Sequence, residues 1–254
     1  MELANKIALI TGGSSGIGRE TAKLFALEGA KVAIADIDAV GGLSVLNEIK
    51  ESGGNAMFHQ IDVTCESEVI NWITDVVNQW QGIDILVANA GILAIGTVEQ
   101  ATELDWDRVL AVNIKGYAFC AKHVAVHIRQ RGGGAIVNVA SMASFIAFPA
   151  FALYNTTKGA VLQLTKSLAC DLAPDNIRVN CVCPGAIDTL QTQQFAESQG
   201  LKKEDVIAQI AQKVPLKRVG HAREVAHAIV FLASEKASYI TATPLLIDGG
   251  YTAN

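Results

Sequence analysis

Tyr154 and Lys158, in the stretch Tyr-Asn-Thr-Thr-Lys, put a phenol four residues before an ammonium. On a helix, residues four apart share a face, with Cβ atoms about 5–6 Å apart. Two proton-bearing groups of different acidity then act on one small volume. An unperturbed tyrosine titrates at about pH 10, too high for a base near neutrality. A neighbouring positive charge favours the phenolate and lowers that value. The spacing suits proton transfer, but a surface lysine beside a half-buried tyrosine is also ordinary packing, so the surroundings must decide.

A second constellation lies near the N-terminus. Thr-Gly-Gly-Ser-Ser-Gly-Ile-Gly (11–18) follows an apolar run and opens into a helical pattern. Gly12, Gly16 and Gly18 stand where a tight turn, close approach to a pyrophosphate and helix–strand packing each want no side chain. Ser14, Ser15 and Ile17 complete the turn. The N-terminus of the following helix offers free N–H groups and partial positive charge to phosphates. Asp36 ends the next apolar run, where a carboxylate accepts hydrogen bonds from an adenosine ribose. It also repels a 2′-phosphate, and neither Ser15 nor Ile37 is basic. NAD is therefore expected over NADP, with Arg19 just inside the helix as a nearby cation pulling the other way.

Elements to position these groups are legible along the chain. Apolar, β-rich runs recur at 6–10, 31–36, 57–63, 83–91, 135–141, 177–185 and 244–250. Helical patterns lie between them, at 16–28, 65–80, 104–130, 154–172 and 222–233. Continuously apolar strands suit a parallel sheet covered on both faces. Thr64 marks a start for the helix through Trp80, and Thr-Glu-Leu-Asp (102–105) has a capping-box pattern. No linker, charge block or repeat divides the chain. Strand–helix alternation predicts one α/β domain over 1–254, a doubly wound parallel sheet with helices on both faces.

Composition narrows the function classes. Half of the 254 residues are hydrophobic, enough for a sizeable core, and the net charge of −5 argues against a nucleic-acid surface. Five scattered cysteines do not make a secreted disulfide framework. Cys181 and Cys183 alternate within an apolar run and read as small core residues on one side of a strand. His123 and His127 are four apart, but the intervening Val-Ala-Val lacks the glutamate of a zinc-protease helix, so no metal is expected. The run 135–153 has the length of a membrane span. Asn138, Ser141, Ser144 and Pro149 make it a buried strand plus an apolar loop instead. The N-terminal apolar run is too short for a signal segment, and a cytoplasmic location is expected.

Taken in order, these residues resemble the short-chain dehydrogenase/reductase family over essentially the whole chain. Its glycine pattern matches Thr11, Gly12, Gly16 and Gly18, and its adenine-side acid matches Asp62, followed by Val63. Its Asn-Ala-Gly turn matches Asn89, Ala90 and Gly91, and its helix asparagine matches Asn113. Its serine matches Ser141, thirteen residues before Tyr154. Its Pro-Gly motif matches Pro184 and Gly185, with Ile187 and Thr189 following. The resemblance implies a Rossmann-type fold, a nicotinamide cofactor and the interconversion of a secondary alcohol and a ketone. It makes Tyr154 the acid/base and Ser141 the hydrogen-bond donor to the substrate oxygen. Lys158 would hold the nicotinamide ribose and tune the tyrosine, and Asn113 would extend a proton path through its backbone and a water. It also implies a homotetramer or dimer paired through the helices around Asn113 and after Tyr154.

Two positions depart from the family pattern: Ala88, where most relatives carry asparagine, and Ala242, where they usually carry glycine. The segments expected to line the substrate pocket are Ile92–Ile95, Met142–Ala147, Phe148–Phe151 and a lid over Leu190–Val214, mostly apolar outside the lid. A small or medium hydrophobic substrate is expected. Gln191, Gln193 and Gln194 leave polyols open, and Arg129 with Arg131 leave an acyl-carrier partner open, although their place at a helix end suits the helix dipole. A silent NAD-binding regulator and a methyltransferase are the rival classes; the first should have lost a reacting residue, and the second has no use for Ser141, Tyr154 and Lys158.

Overall fold

Each apolar run becomes a strand of one sheet in the computed structural model, which describes residues 1–253. The strands are β1 (Ile7–Thr11), β2 (Lys31–Asp36), β3 (Asn55–Gln60), β4 (Ile85–Ala88), β5 (Gly134–Val139), β6 (Ile177–Pro184) and, after a short pair β7 (Ile187–Asp188) and β8 (Gly220–His221), β9 (Pro244–Ile247). The seven long strands run in the order β3-β2-β1-β4-β5-β6-β9, and all are parallel. Helices α1 (Gly16–Leu27), α2 (Ala39–Glu51) and α9 (Ala222–Ala233) cover one face. The other face is covered by α3 (Glu66–Trp80), α5 (Gly116–Gln130) and α6 (Ala152–Leu172). The period of two is visible within β1. Ala8 and Ile10 join the first core layer, whereas Ile7 and Leu9 join the second.

Register is pinned at the far end of the sheet. The buried carboxylate of Asp84 accepts from the Ile7 amide at 2.8 Å and from Arg131 Nε at 3.1 Å, while its own carbonyl accepts from Ala135 N. One residue thereby aligns the starts of β1, β4 and β5. Arg129 pairs with Asp175 at 2.5 Å. Both arginines are thus tied to carboxylates and form no free basic spot. His123 likewise meets Glu66 at 2.7 Å, and no metal-ligating cluster exists among the described residues. No described helix is long and apolar enough to cross a membrane.

Three elements differ from the sequence reading. Helix α2 has no counterpart among the helical patterns of the sequence, because Gly41 and Gly42 depress helix propensity. Asp38 offsets this by accepting from the amides of Val40 and Gly41 at 3.1 Å. Gly42 is required by packing, since a Cβ there would sit 2.0 Å from the Phe58 ring. The predicted helix 104–130 is α4 (Glu103–Leu110) and α5 joined by a π-turn over Ala111–Lys115. Its capping box at Thr102 and Asp105 forms as expected. Helix α3 begins at Glu66 with Cys65 in the capping position, so Thr64 does not cap it. Helices α7 (Leu190–Ser198) and α8 (Lys203–Lys213) make the lid.

The two departures acquire physical content. Ala88 faces Asn138 across β4 and β5 and offers it no donor. Asn138 Nδ2 bonds Thr165 Oγ1 at 2.9 Å, but its buried Oδ1 has no partner among the described residues. Ala242 holds φ +60°, the left-handed region that costs a side-chain-bearing residue roughly 1–2 kcal/mol. Ala242→Gly relieves that strain at a smaller entropic cost, so a net gain of about 0.5 kcal/mol is expected in urea unfolding. An unchanged or lowered midpoint would contradict this.

Candidate active site

The carboxyl ends of the strands open into a cavity of about 1160 Å³ that spans the divergence of β1 and β4. Open parallel sheets place ligand sites at this switch point. Gly12, Ser14, Ser15, Gly16 and Ile17 line it from the turn after β1, and Asp36 lines it from the end of β2. Asp62 and Val63 follow β3; Asn89, Ala90 and Gly91 follow β4. Pro184, Gly185, Ile187 and Thr189 close the other side, beside Ser141, Tyr154 and Lys158. Two predicted residues stand behind the lining. A Cβ on Gly18 would come 2.0 Å from the Gly12 carbonyl, so its glycine lets α1 sit directly on the turn. Asn113 is fully buried in the π-turn.

The glycine turn is shaped for a dinucleotide. Gly12 holds φ +65° and Gly16 φ +52°, and a Cβ on Gly12 would meet Ala90 Cα at 2.8 Å. Asn89 sews the two turns together, its Nδ2 donating to the carbonyls of Thr11 at 3.0 Å and Gly12 at 2.8 Å. Thr11 Oγ1 accepts in return from the amides of Asn89 and Ala90. The Asp36 carboxylate is held at the cavity wall by the amides of Ser14 and Asp38, both at 3.0 Å. This cradle, opened by Gly12 and Gly16 beside a helix N-terminus, fits a nicotinamide dinucleotide.

At the other end, α6 presents Tyr154 and Lys158 as its period requires. Lys158 Nζ donates to the Val139 carbonyl at 2.8 Å and lies 5.7 Å from the centres of both the Tyr154 and Tyr117 rings. Asn113 accepts from Ile92 N at 2.8 Å and donates to Ile92 O at 3.0 Å and Thr157 Oγ1 at 3.1 Å. Thr157 in turn bonds the Tyr154 carbonyl at 2.9 Å. The π-turn thus aims Asn113 at both the loop after β4 and the start of α6.

The pattern of the family described as enoyl-(acyl carrier protein) reductase matches residues 12–252. An uncharacterized oxidoreductase of Thermotoga maritima is 40% identical over 253 residues, covering all of both chains. A cyclopentanol dehydrogenase of Comamonas sp. is 37% identical, with 98% of each chain covered. A short-chain type dehydrogenase/reductase from Mycobacterium marinum superposes with a TM-score of 0.93 at 36% identity, covering 100% of this chain and 98% of that one. The chain belongs to the short-chain dehydrogenase/reductase family. Members of this family bind a nicotinamide cofactor, NAD or NADP.

Electrostatics at this short-chain dehydrogenase/reductase site differ from the first expectation. Burial pushes the Tyr154 phenol up, and only the Ser141 hydroxyl beside it pulls the other way. Lys158 does not overcome that burial in the protein alone. Its own ammonium is pulled down to about 8 by desolvation. Sequence reasoning also missed Tyr117, whose buried hydroxyl shares the Val139 carbonyl at 3.0 Å, and Tyr251, which lines the cavity, whereas Phe195 lines it from the lid segment already expected there. Only the register of α5 would have pointed to Tyr117. In the lid, Gln191 and Gln194 line the cavity, whereas Gln193 turns away to Glu197 at 2.9 Å.

Burying a cation carries a stability cost with a defined pH window. Below pH 8 both states hold the Lys158 proton and the folded state bears the desolvation cost in full. Between about 8 and 10.5 the unfolded state binds more protons, so wild-type stability rises with pH. Lys158→Met is therefore expected to stabilise the fold at pH 7 by on the order of 2 kcal/mol, allowing for the lost hydrogen bond. The advantage should shrink as pH rises through that window. Thermal melts showing the variant no more stable at pH 7 would refute this.

Proposed function

We propose that the chain is an NAD-dependent oxidoreductase that interconverts a secondary alcohol and a ketone on a small to medium, predominantly hydrophobic substrate. The observation that carries the reading is the convergence of Ser141, Tyr154 and Lys158 on the same cavity as a dinucleotide cradle opened by Gly12 and Gly16. A bound nicotinamide would supply the hydride chemistry. The residues of the chain do the rest. Asp36 accepts from the adenosine ribose, with Asp62 and Val63 on the adenine side. Tyr154, kept protonated by burial, gives its proton to a ketone oxygen during reduction; oxidation is the reverse step, in which the phenolate takes the proton of the alcohol. Ser141 donates to the same oxygen, and Lys158 holds the nicotinamide ribose. Asn113, braced between Ile92 and Thr157, positions the loop after β4 against α6.

Assembly as a homotetramer in the cytoplasm fits this reading. Val126 on α5 is an exposed apolar side chain and Leu162 on α6 is partly exposed, in support of pairing through those helices. The substrate side is supported by an apolar lining that includes Ile92, Leu93, Met142 and Phe148.

Two measurements test the proposal. Because Asp36 repels a 2′-phosphate, kcat/KM should favour NAD over NADP by at least about tenfold, or roughly 1.4 kcal/mol. Asp36→Ala should damage chiefly the use of NAD, and equal efficiencies in the wild type would refute the cofactor assignment. Tyr154→Phe keeps the ring and removes the titrating oxygen. Turnover should fall by the roughly 10²–10⁴-fold typical of a lost general acid/base, with NAD binding retained. A folded variant within a few-fold of wild-type turnover would remove Tyr154 from the reaction.

A further inference from the structure

Three of the eight phenylalanines and two of the four tyrosines line one end of the cavity, so its aromatic content is concentrated around Tyr154 rather than spread through the core. Phe148 and Phe151 come from the loop before α6, Phe195 from the lid helix α7, and Tyr251 from the C-terminal turn. Phe151 lies edge-on to Tyr154 with ring centres 6.4 Å apart, and tilted to Phe195 at 5.6 Å. Phe148 meets Phe151 edge-on at 6.4 Å and Tyr251 at 6.0 Å. All four remain only half-buried, so their unsatisfied area faces the cavity.

The backbone holds this wall at some cost. Ala150 adopts φ +61°, a strained conformation for a residue with a side chain, and its carbonyl accepts from Gly96 N at 2.6 Å. Asn155, inside the Tyr-Asn-Thr-Thr-Lys stretch, ties down the Phe148 carbonyl at 3.0 Å. The carboxylates of the lining, Asp36, Asp38 and Asp62, all lie at the opposite, β2–β3 side. Of the lining cations, Lys158 is held by the Val139 carbonyl and Arg108 and Lys213 are exposed, and the lid glutamines Gln191 and Gln194 are neutral. Rings that already pack edge-on and tilted extend that arrangement to one more ring more readily than to a flexible chain.

We propose that the substrate is a secondary alcohol whose carbinol carbon belongs to, or adjoins, an uncharged ring seated against Phe148, Phe151, Phe195 and Tyr251. This rests on the reaction proposed above. The test compares alcohols of equal carbon number with the purified full chain: cyclohexanol against 2-hexanol, and 1-phenylethanol against 2-octanol. In at least one pair, kcat/KM for the ring alcohol should exceed that for the linear one by tenfold or more, equivalent to about 1.4 kcal/mol. Phe148→Leu and Tyr251→Leu should each bring that ratio down toward one. The ratio is insensitive to partial misfolding, because one folded fraction turns over both alcohols. A smaller ratio in both wild-type pairs, or a ratio unchanged in both variants, overturns the inference while leaving the reaction standing. No turnover of any of the four with NAD or NADP overturns the reaction and this inference together.

Discussion

The carbonyl of Val139, at the end of β5, accepts from Lys158 on α6 at 2.8 Å and from Tyr117 on α5 at 3.0 Å. A central strand and two helices meet at this one oxygen. Both of its lone pairs are used by buried donors, where an unpaired polar group is costly. The position of Lys158 relative to Tyr154 follows from this junction as well as from helical spacing. Displace either helix and a buried ammonium or a buried phenol loses its acceptor.

The junction holds an arrangement that the fold alone would not favour. Desolvation weakens the Lys158 ammonium and keeps the Tyr154 phenol protonated, so both groups are perturbed in the protein by itself. Perturbed groups of this kind concentrate where chemistry is done. Ala150, in the left-handed region beside Phe151, adds backbone strain to the same neighbourhood. The compensating rigidity comes from ordinary parts: the Asp84 anchor under three strands, the Asn89 stitch between two turns and the Asn113 brace. Stability is spread through the two core layers and spent locally at the strand ends.

Chemistry and specificity occupy different kinds of structure. Ser141, Tyr154, Lys158 and the glycine turn sit on or against the sheet and its first helical turns. The aromatic wall and the lid sit on the loop before α6, on α7 and α8, and on the C-terminal turn. Segments of the second kind change shape and sequence at low cost to the core, which lets one scaffold accept different substrates. The lid is held by few contacts, among them Gln191 to the Gly91 carbonyl at 3.3 Å and Lys203 to Asp188 at 2.5 Å.

By itself the sequence determined the elements along the chain: seven apolar runs, the helices between most of them, the glycine turn and the spacing of Tyr154 and Lys158. Those signals are local, since periodicity, turn chemistry and motif spacing act within a few residues. Where local propensity opposed the outcome, the sequence misled or fell silent. Gly41 and Gly42 hid α2, because only the approach of Phe58 explains a glycine there. The break of the long helix at Ala111–Lys115 answers to the hydrogen bonds of Asn113 with Ile92 and Thr157, residues twenty-one and forty-four positions away. Tyr117 joins the Val139 carbonyl and Tyr251 reaches the cavity from separate segments, and the direction of the Tyr154 shift depends on how deeply the finished fold buries it. Burial and long-range hydrogen bonding are properties of the assembled layers, so only the tertiary structure could decide them.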